Sequence, residues 1–242
     1  MTTRRVLLPG MPLPVDDYLG LVASLPGDTV VLDTLVVPVT GTTAELRAGV
    51  DLPEEPYELV GHSIGALAAL EWAAHHPLEV SRIVLLDPSD PWGTPVPAAL
   101  GGRAGRVVVS LVRFLASQPR IALALGRWGR RTVLSMYGVS EDPMPRERVD
   151  AVFGTRDSLA SVARQIASVP AQVERVRALL DAGFEPPDVV MLIARDGNPP
   201  DREASVRLAE RLGARVIAVP GTHLFPMTHP GTTTDAMLTR HD

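Results

Sequence analysis

Residues 57–74 read YELVGHSIGALAALEWAA, and the prediction of the fold starts from this stretch. A short β-type run at 57–60 is followed by GHSIG at 61–65, and an alanine- and leucine-rich helix then continues until Pro77. A strand, a G-x-S-x-G turn and a helix in this order hold a serine on a sharp turn, where a base and a substrate can reach its hydroxyl. The start of the helix also directs backbone amides at the place where an oxyanion would form. The pattern predicts Ser63 as a nucleophile.

Apolar runs alternate with helical patterns on both sides of this stretch. Strands are predicted at 5–8, 29–37, 57–60, 81–86, 188–194 and 214–219, and core helices at 16–25, 43–50, 171–182 and 201–212. This alternation predicts a mostly parallel sheet of about six strands, with right-handed crossovers and flanking helices. A site in such a sheet lies at the carboxyl ends of the strands, where Gly10, Ser63 and Asp87 all fall.

Residues 90–168 interrupt the alternation. They begin with the proline- and glycine-rich segment PWGTPVPAALGG and continue with helical patterns at 106–117, 119–128, 146–152 and 157–167. Because no strand pattern occurs there, we predict a helical cap at 91–168, inserted between core segments 1–90 and 169–242.

The composition excludes several classes of function. A chain of 242 residues fits one α/β domain with an insertion, and a net charge of −5 argues against nucleic acid as a partner. The absence of cysteine and lysine excludes thiol catalysis and a lysine Schiff base. No nucleotide-binding or metal-binding motif occurs, so we expect neither a cofactor nor a metal. The first apolar run breaks at Pro9, too early for a signal peptide or a membrane span, which favours a cytoplasmic protein without integral membrane association.

At this point the chain resembles the α/β-hydrolase superfamily over nearly its whole length. The resemblance is carried by LLPGM at 7–11, GHSIG at 61–65 and GTHLFPM at 221–227. Two departures stand out, because Pro9 precedes Gly10 where the superfamily usually has histidine, and Ala66 replaces a second glycine after the serine. The resemblance implies an α/β-hydrolase fold that lacks the first two strands of the usual sheet.

The resemblance also implies a catalytic triad with Ser63 as nucleophile. His223 follows the last strand and a turn, where the superfamily carries its catalytic histidine, and we predict it as the base in preference to His229 in the same loop. The backbone amides of Met11 and Ile64 are the predicted oxyanion-hole donors, and Gly10 is expected to contact the substrate.

The acid of the triad has two candidates. In most of the superfamily it follows the strand at 188–194, but Asn198 occupies that place here. An asparagine can orient an imidazole but cannot stabilise its charged form as a carboxylate does. Asp196 lies two residues earlier, whereas Asp87 lies 24 residues after Ser63, at the end of the preceding strand. The sequence favours Asp87 and keeps Asp196 as the alternative.

The cap carries a second signal in its charges. Pro91 to Ser140 contains seven arginines and no acidic residue, and four of the arginines recur every seven residues among apolar runs. One interpretation is a solvated face over an apolar underside that covers the active site. The other is an anion-binding mouth for an acyl carrier protein, a CoA thioester or an acidic lipid surface.

Together these features predict a cofactor-independent serine hydrolase. It would cleave an ester, thioester or lactone bond of a hydrophobic small-molecule substrate through an acyl-enzyme. One alternative is an acyltransferase or acyl-eliminating lyase acting on a biosynthetic intermediate. Another is a non-catalytic binding protein on a hydrolase fold, and Asn198 is the main observation in its favour.

Overall fold

The computed structural model describes residues 3–52, 56–93, 102–197 and 199–239. Within these ranges the chain forms one six-stranded sheet whose neighbouring strands are all parallel. Its strands are β1 (Arg4–Leu8), β2 (Asp28–Val31), β3 (Tyr57–His62), β4 (Val80–Leu86), β5 (Val189–Ala194) and β6 (Arg215–Val219), in the order β2-β1-β3-β4-β5-β6. The predicted parallel sheet of about six strands is confirmed.

Helices surround the sheet. In the described ranges they are α1 (Leu19–Ser24), α2 (Thr43–Ala48), α3 (Ile64–His75), α4 (Gly102–Leu115), α5 (Pro119–Met136), α6 (Arg146–Phe153), α7 (Arg156–Asp181), α8 (Pro199–Leu212), α9 (Phe225–Thr228) and α10 (Pro230–Leu238). A 3-10 turn at Val15–Tyr18 precedes α1. Helices α4 to α7 lie between β4 and β5, where the cap was predicted. No helix of the described ranges combines the length and apolarity that a bilayer crossing requires.

The structure corrects two predicted elements. The helices predicted at 157–167 and 171–182 are one helix, α7, which continues through Pro170. A proline inside a helix removes one backbone hydrogen bond, but the buried side chains of Val169 and Val173 hold α7 against the core on both sides of it. The predicted boundary between residues 168 and 169 therefore lies inside a helix.

The second correction concerns β2, which ends at Val31 and not at residue 37. This strand lies at the edge of the sheet and pairs only with β1. The last bond of the ladder runs from the Leu32 amide to the Leu7 oxygen, at 2.9 Å. Because β1 ends at Leu8, the following residues have no strand to pair with, and they turn away.

Two hydrophobic clusters cover the two faces of the sheet. Side chains alternate along β1, so that Val6 and Leu8 belong to one cluster and Leu7 to the other. The change of direction that places β2 and β3 on opposite sides of β1 leaves a crevice at the carboxyl ends of β1 and β3. The candidate site lies there.

Candidate active site

Ser63 occupies the sharp turn between β3 and α3. Its φ of 54° and ψ of −121° lie in a strained region for a residue with a side chain. Strand and helix approach so closely that a Cβ on Gly61 would lie 2.5 Å from the Cα of Ala66. A Cβ on Gly65 would collide with the backbone of Leu8 and Pro9. The two glycines of the motif therefore make the turn possible.

Asp87 and His223 meet at the same edge of the sheet. Asp87 directly follows β4, and its Oδ2 lies 2.6 Å from Nδ1 of His223. Its other oxygen, Oδ1, accepts a hydrogen bond from the amide of Ala194 at 2.9 Å. Burial is the largest influence and acts to raise the pKa of Asp87, but the hydrogen bond and electrostatic attraction to His223, together with the hydrogen bond from the Ala194 amide, outweigh it, and the pKa is lowered. When Nδ1–H of the His223 imidazole donates to the carboxylate, Nε2 of the same ring is the nitrogen left to accept a proton.

The other acid candidate has a different partner. The Asp196 carboxylate accepts a hydrogen bond from the Gly221 amide at 2.9 Å, and the Asp196 amide donates to the Gly221 oxygen at 3.1 Å. In the described part of the chain no hydrogen bond joins Asp196 to His223, while Asn198 lies outside that part. Asp87 is therefore the acid that contacts the His223 imidazole. Asp196 instead binds the backbone amide of Gly221, two residues before His223.

The remaining histidine of the loop lies on the surface. His229 is exposed, and its Nδ1 lies 2.9 Å from the Thr228 hydroxyl. Ser63 and His223 are on adjoining loops, but no hydrogen bond of the described residues involves the Ser63 hydroxyl. Catalytic hydrogen bonds in ligand-free enzymes are often long and tighten only with substrate.

A buried chain of hydrogen bonds connects the loop after β1 to the loop that carries His223. The Gly10 amide lies 2.8 Å from the Tyr18 hydroxyl, which lies 2.6 Å from Nδ1 of His62. Nε2 of His62 lies 2.9 Å from the backbone oxygen of His223. His62 and Tyr18 are both about 1% exposed. His62 is the residue before Ser63, so three loops of the site are held together by these groups.

The direction of this chain follows from its chemistry. The His223 carbonyl can only accept, so Nε2 of His62 donates to it. Burial, followed by the proximity of His223, lowers the pKa of His62 to about 3, so the ring is neutral and its Nδ1 accepts from the Tyr18 hydroxyl. The Tyr18 oxygen in turn accepts from the Gly10 amide. The site therefore contains two histidines: His223, which faces Asp87, and the neutral His62, which has a structural role.

The predicted oxyanion-hole residues lie on the two loops that flank Ser63. Met11 follows Gly10, and Ile64 begins α3. A Cβ on Gly10 would lie 3.1 Å from the Cβ of Ser63, so the loop after β1 passes directly against the serine. Among the loop and cap hydrogen bonds of the described residues, none uses the amide of Met11 or of Ile64. These two amides are free to act as donors to a ligand oxygen.

The helical segment between β4 and β5 also contributes to the site, through Tyr137, the residue after α5. The Tyr137 ring lies 4.5 Å from the His223 ring, tilted by 30°. The Tyr137 carbonyl accepts a hydrogen bond from the hydroxyl of Thr222 at 2.7 Å. The sequence prediction missed Tyr18 and Tyr137, because no motif marks them, although the chain has only three tyrosines. Among the described residues no group of three or more His, Asp or Glu side chains is placed to hold a metal ion.

Comparisons with known proteins agree with this architecture. The chain is similar over 99% of its length to 91% of an alpha/beta hydrolase fold protein from Burkholderia ambifaria, at 17% identity and a TM-score of 0.68. For Cfl2 from Burkholderia cenocepacia the two coverages are 97% and 86%, also at 17% identity and a TM-score of 0.68. For the thioesterase domain from the curacin biosynthetic pathway they are 98% and 92%, at 14% identity and a TM-score of 0.60.

At these identities the structural matches establish the fold. No match was found among curated protein sequences. A sequence model described as "Alpha/beta hydrolase family" matches residues 6–236, which is nearly the entire chain. The sheet, the strained serine turn and the two loops around it all lie within the matched region. The chain therefore belongs to the alpha/beta hydrolase family.

Proposed function

We propose that the protein is a cofactor-independent serine hydrolase that cleaves an ester, thioester or lactone bond of a hydrophobic small molecule. The observation that carries the proposal is the 2.6 Å contact between Asp87 and His223, beside the strained turn of Ser63. A buried carboxylate that holds one nitrogen of an imidazole leaves the other nitrogen to act as a base. A binding protein would have no use for this pair beside a serine in a strained turn.

In the proposed mechanism the Ser63 hydroxyl attacks the substrate carbonyl, and Nε2 of His223 takes its proton. Asp87 stabilises the imidazolium that forms, while the amides of Met11 and Ile64 donate to the oxyanion. When the tetrahedral intermediate collapses, the alcohol or thiol leaves with the proton from His223. Water then attacks the acyl-enzyme with His223 as base, and the water oxygen enters the acid. The bond between the acyl group and Ser63 breaks, and Ser63 regains its proton from His223.

The fate of the acyl group separates hydrolysis from acyl transfer or elimination. We expect the protein to hydrolyse p-nitrophenyl butyrate in ¹⁸O-labelled water and to release butyrate that carries one labelled oxygen, as mass spectrometry would show. The Ser63→Ala variant is the blank for this assay. Acyl transfer to an added alcohol or amine without release of the acid would contradict hydrolysis, and so would equal rates for the wild type and the variant.

A further inference from the structure

The cap exposes large apolar side chains in a regular pattern. On α4, Val107 and Phe114 are 67% and 73% exposed, and on α5, Ile121 and Trp128 are 40% and 68% exposed. These four residues follow one another at intervals of seven, so that each helix presents its pair on one face. Leu111 of α4, 54% exposed, lies on the same face as Val107 and Phe114. These five side chains are exposed, so they do not belong to the apolar underside that one interpretation of the sequence assigned to this region.

An arginine stands immediately before each of the four residues. Arg106, Arg113, Arg120 and Arg127 precede Val107, Phe114, Ile121 and Trp128. One residue corresponds to about 100° around a helix, so a row of guanidinium groups borders a row of apolar side chains on each helix. Long arginine side chains can lie along apolar surface and extend their charged ends beyond it.

Most of these arginines have no charged partner. Among the described residues Arg106, Arg113 and Arg120 form no ion pair, whereas Arg127 pairs with Asp150. Arginines packed on the core are paired, as Arg5 with Glu58 and Arg175 with Glu71 show. No acidic residue occurs from Pro91 to Ser140, so the charges of Arg106, Arg113 and Arg120 have no acidic neighbour in their own stretch of sequence.

We propose that the exposed face of α4, formed by Val107, Leu111 and Phe114 with Arg106 and Arg113 beside them, binds the face of an anionic lipid bilayer. A helix with Phe, Trp, Leu or Val on one side and arginines beside them matches the chemistry of a bilayer interface. The apolar side chains would enter the region between headgroups and acyl chains, while the arginines meet lipid phosphates. An acidic protein partner would account for the arginines, but it would not by itself account for the exposed apolar residues that lie beside them on α4. The surface is independent of the chemistry at Ser63.

The test is co-sedimentation of the full chain with vesicles of equal parts phosphatidylglycerol and phosphatidylcholine, and with vesicles of phosphatidylcholine alone. We expect binding at least about tenfold tighter to the anionic vesicles, weakened by 0.5 M NaCl because salt screens the arginines. The double variant Arg106→Gln/Arg113→Gln should bind about thirtyfold less tightly. Phe114→Asp should lose about tenfold or more, because its ring would no longer enter the bilayer.

Two variants outside the cap serve as matched controls. Leu78 is 91% exposed, and Leu78→Asp replaces an exposed apolar side chain by aspartate, as Phe114→Asp does. Arg4 is also exposed, and Arg4→Gln removes one arginine charge, as the substitutions at Arg106 and Arg113 do. Both should bind the anionic vesicles as the wild type does. Absence of vesicle binding at low salt overturns the proposal, whether or not an acyl carrier protein or CoA binds instead. Equal losses in cap variants and controls overturn it as well.

Discussion

The Asp87→Asn variant should lose about 10³–10⁴-fold in kcat/KM for ester hydrolysis. The amide of Ala194 donates to Oδ1 of Asp87, so an asparagine would turn its own oxygen to that amide and its NH₂ group to His223. His223 would then have to accept at Nδ1 and carry its proton on Nε2. In that tautomer it cannot take the proton from Ser63.

Asp196→Asn is the matched control for this variant. The Asp196 carboxylate accepts from the Gly221 amide, and an asparagine oxygen can accept the same bond. We expect kcat/KM to change by no more than a few-fold, with the melting temperature of each variant measured to confirm that it folds. A large loss in Asp196→Asn, together with a small one in Asp87→Asn, would reverse the assignment of the acid.

Replacing Arg130 by methionine should lower the free energy of unfolding by about 3–5 kcal/mol. The Arg130 guanidinium is 2% exposed, and it donates to both oxygens of Asp17 at 2.6 and 2.7 Å and to both oxygens of Asp142 at 2.9 and 3.0 Å. Asp17 belongs to the 3-10 turn before α1 and Arg130 to α5, so this ion pair joins the two elements. Burial raises the pKa of Asp17 against the opposing effect of Arg130. Without the arginine, Asp17 would be a buried and uncompensated charge.

Urea unfolding measures this effect. The double variant Arg130→Met/Asp17→Asn should recover part of the loss, because it removes the charge that the single variant leaves behind. Arg127→Met is the control, since Arg127 pairs with Asp150 at the surface and its replacement should change stability little. If the Arg130 and Arg127 substitutions lower the free energy of unfolding equally, the buried cluster of Arg130, Asp17 and Asp142 is no more important for stability than a surface ion pair.

The local patterns of the sequence were sufficient for the sheet and the serine turn. Apolar runs bounded by turn residues marked all six strands, and the two glycines around Ser63 marked the turn at which β3 and α3 nearly touch. Both features depend on neighbouring residues only. The predicted length of β2 was wrong because the strand can extend only as far as its partner β1. The sequence of β2 carries no information on where β1 ends.

The other differences also arise from tertiary packing. The continuity of α7 through Pro170 depends on the core beneath it. Asp196 was a reasonable candidate by its spacing, but the fold uses its carboxylate to hold the Gly221 amide. The hydrogen bond between Tyr18 and His62 joins residues that are 44 positions apart, and no sequence motif predicts it.

Labelling with a fluorophosphonate probe tests the central claim, that Ser63 is an activated nucleophile, most directly. We predict rapid covalent modification that peptide mass spectrometry assigns to Ser63, with no labelling of Ser63→Ala and strongly slowed labelling of Asp87→Asn. Labelling of another residue, or a folded protein whose Ser63 does not react, would show that Ser63 is not an activated nucleophile.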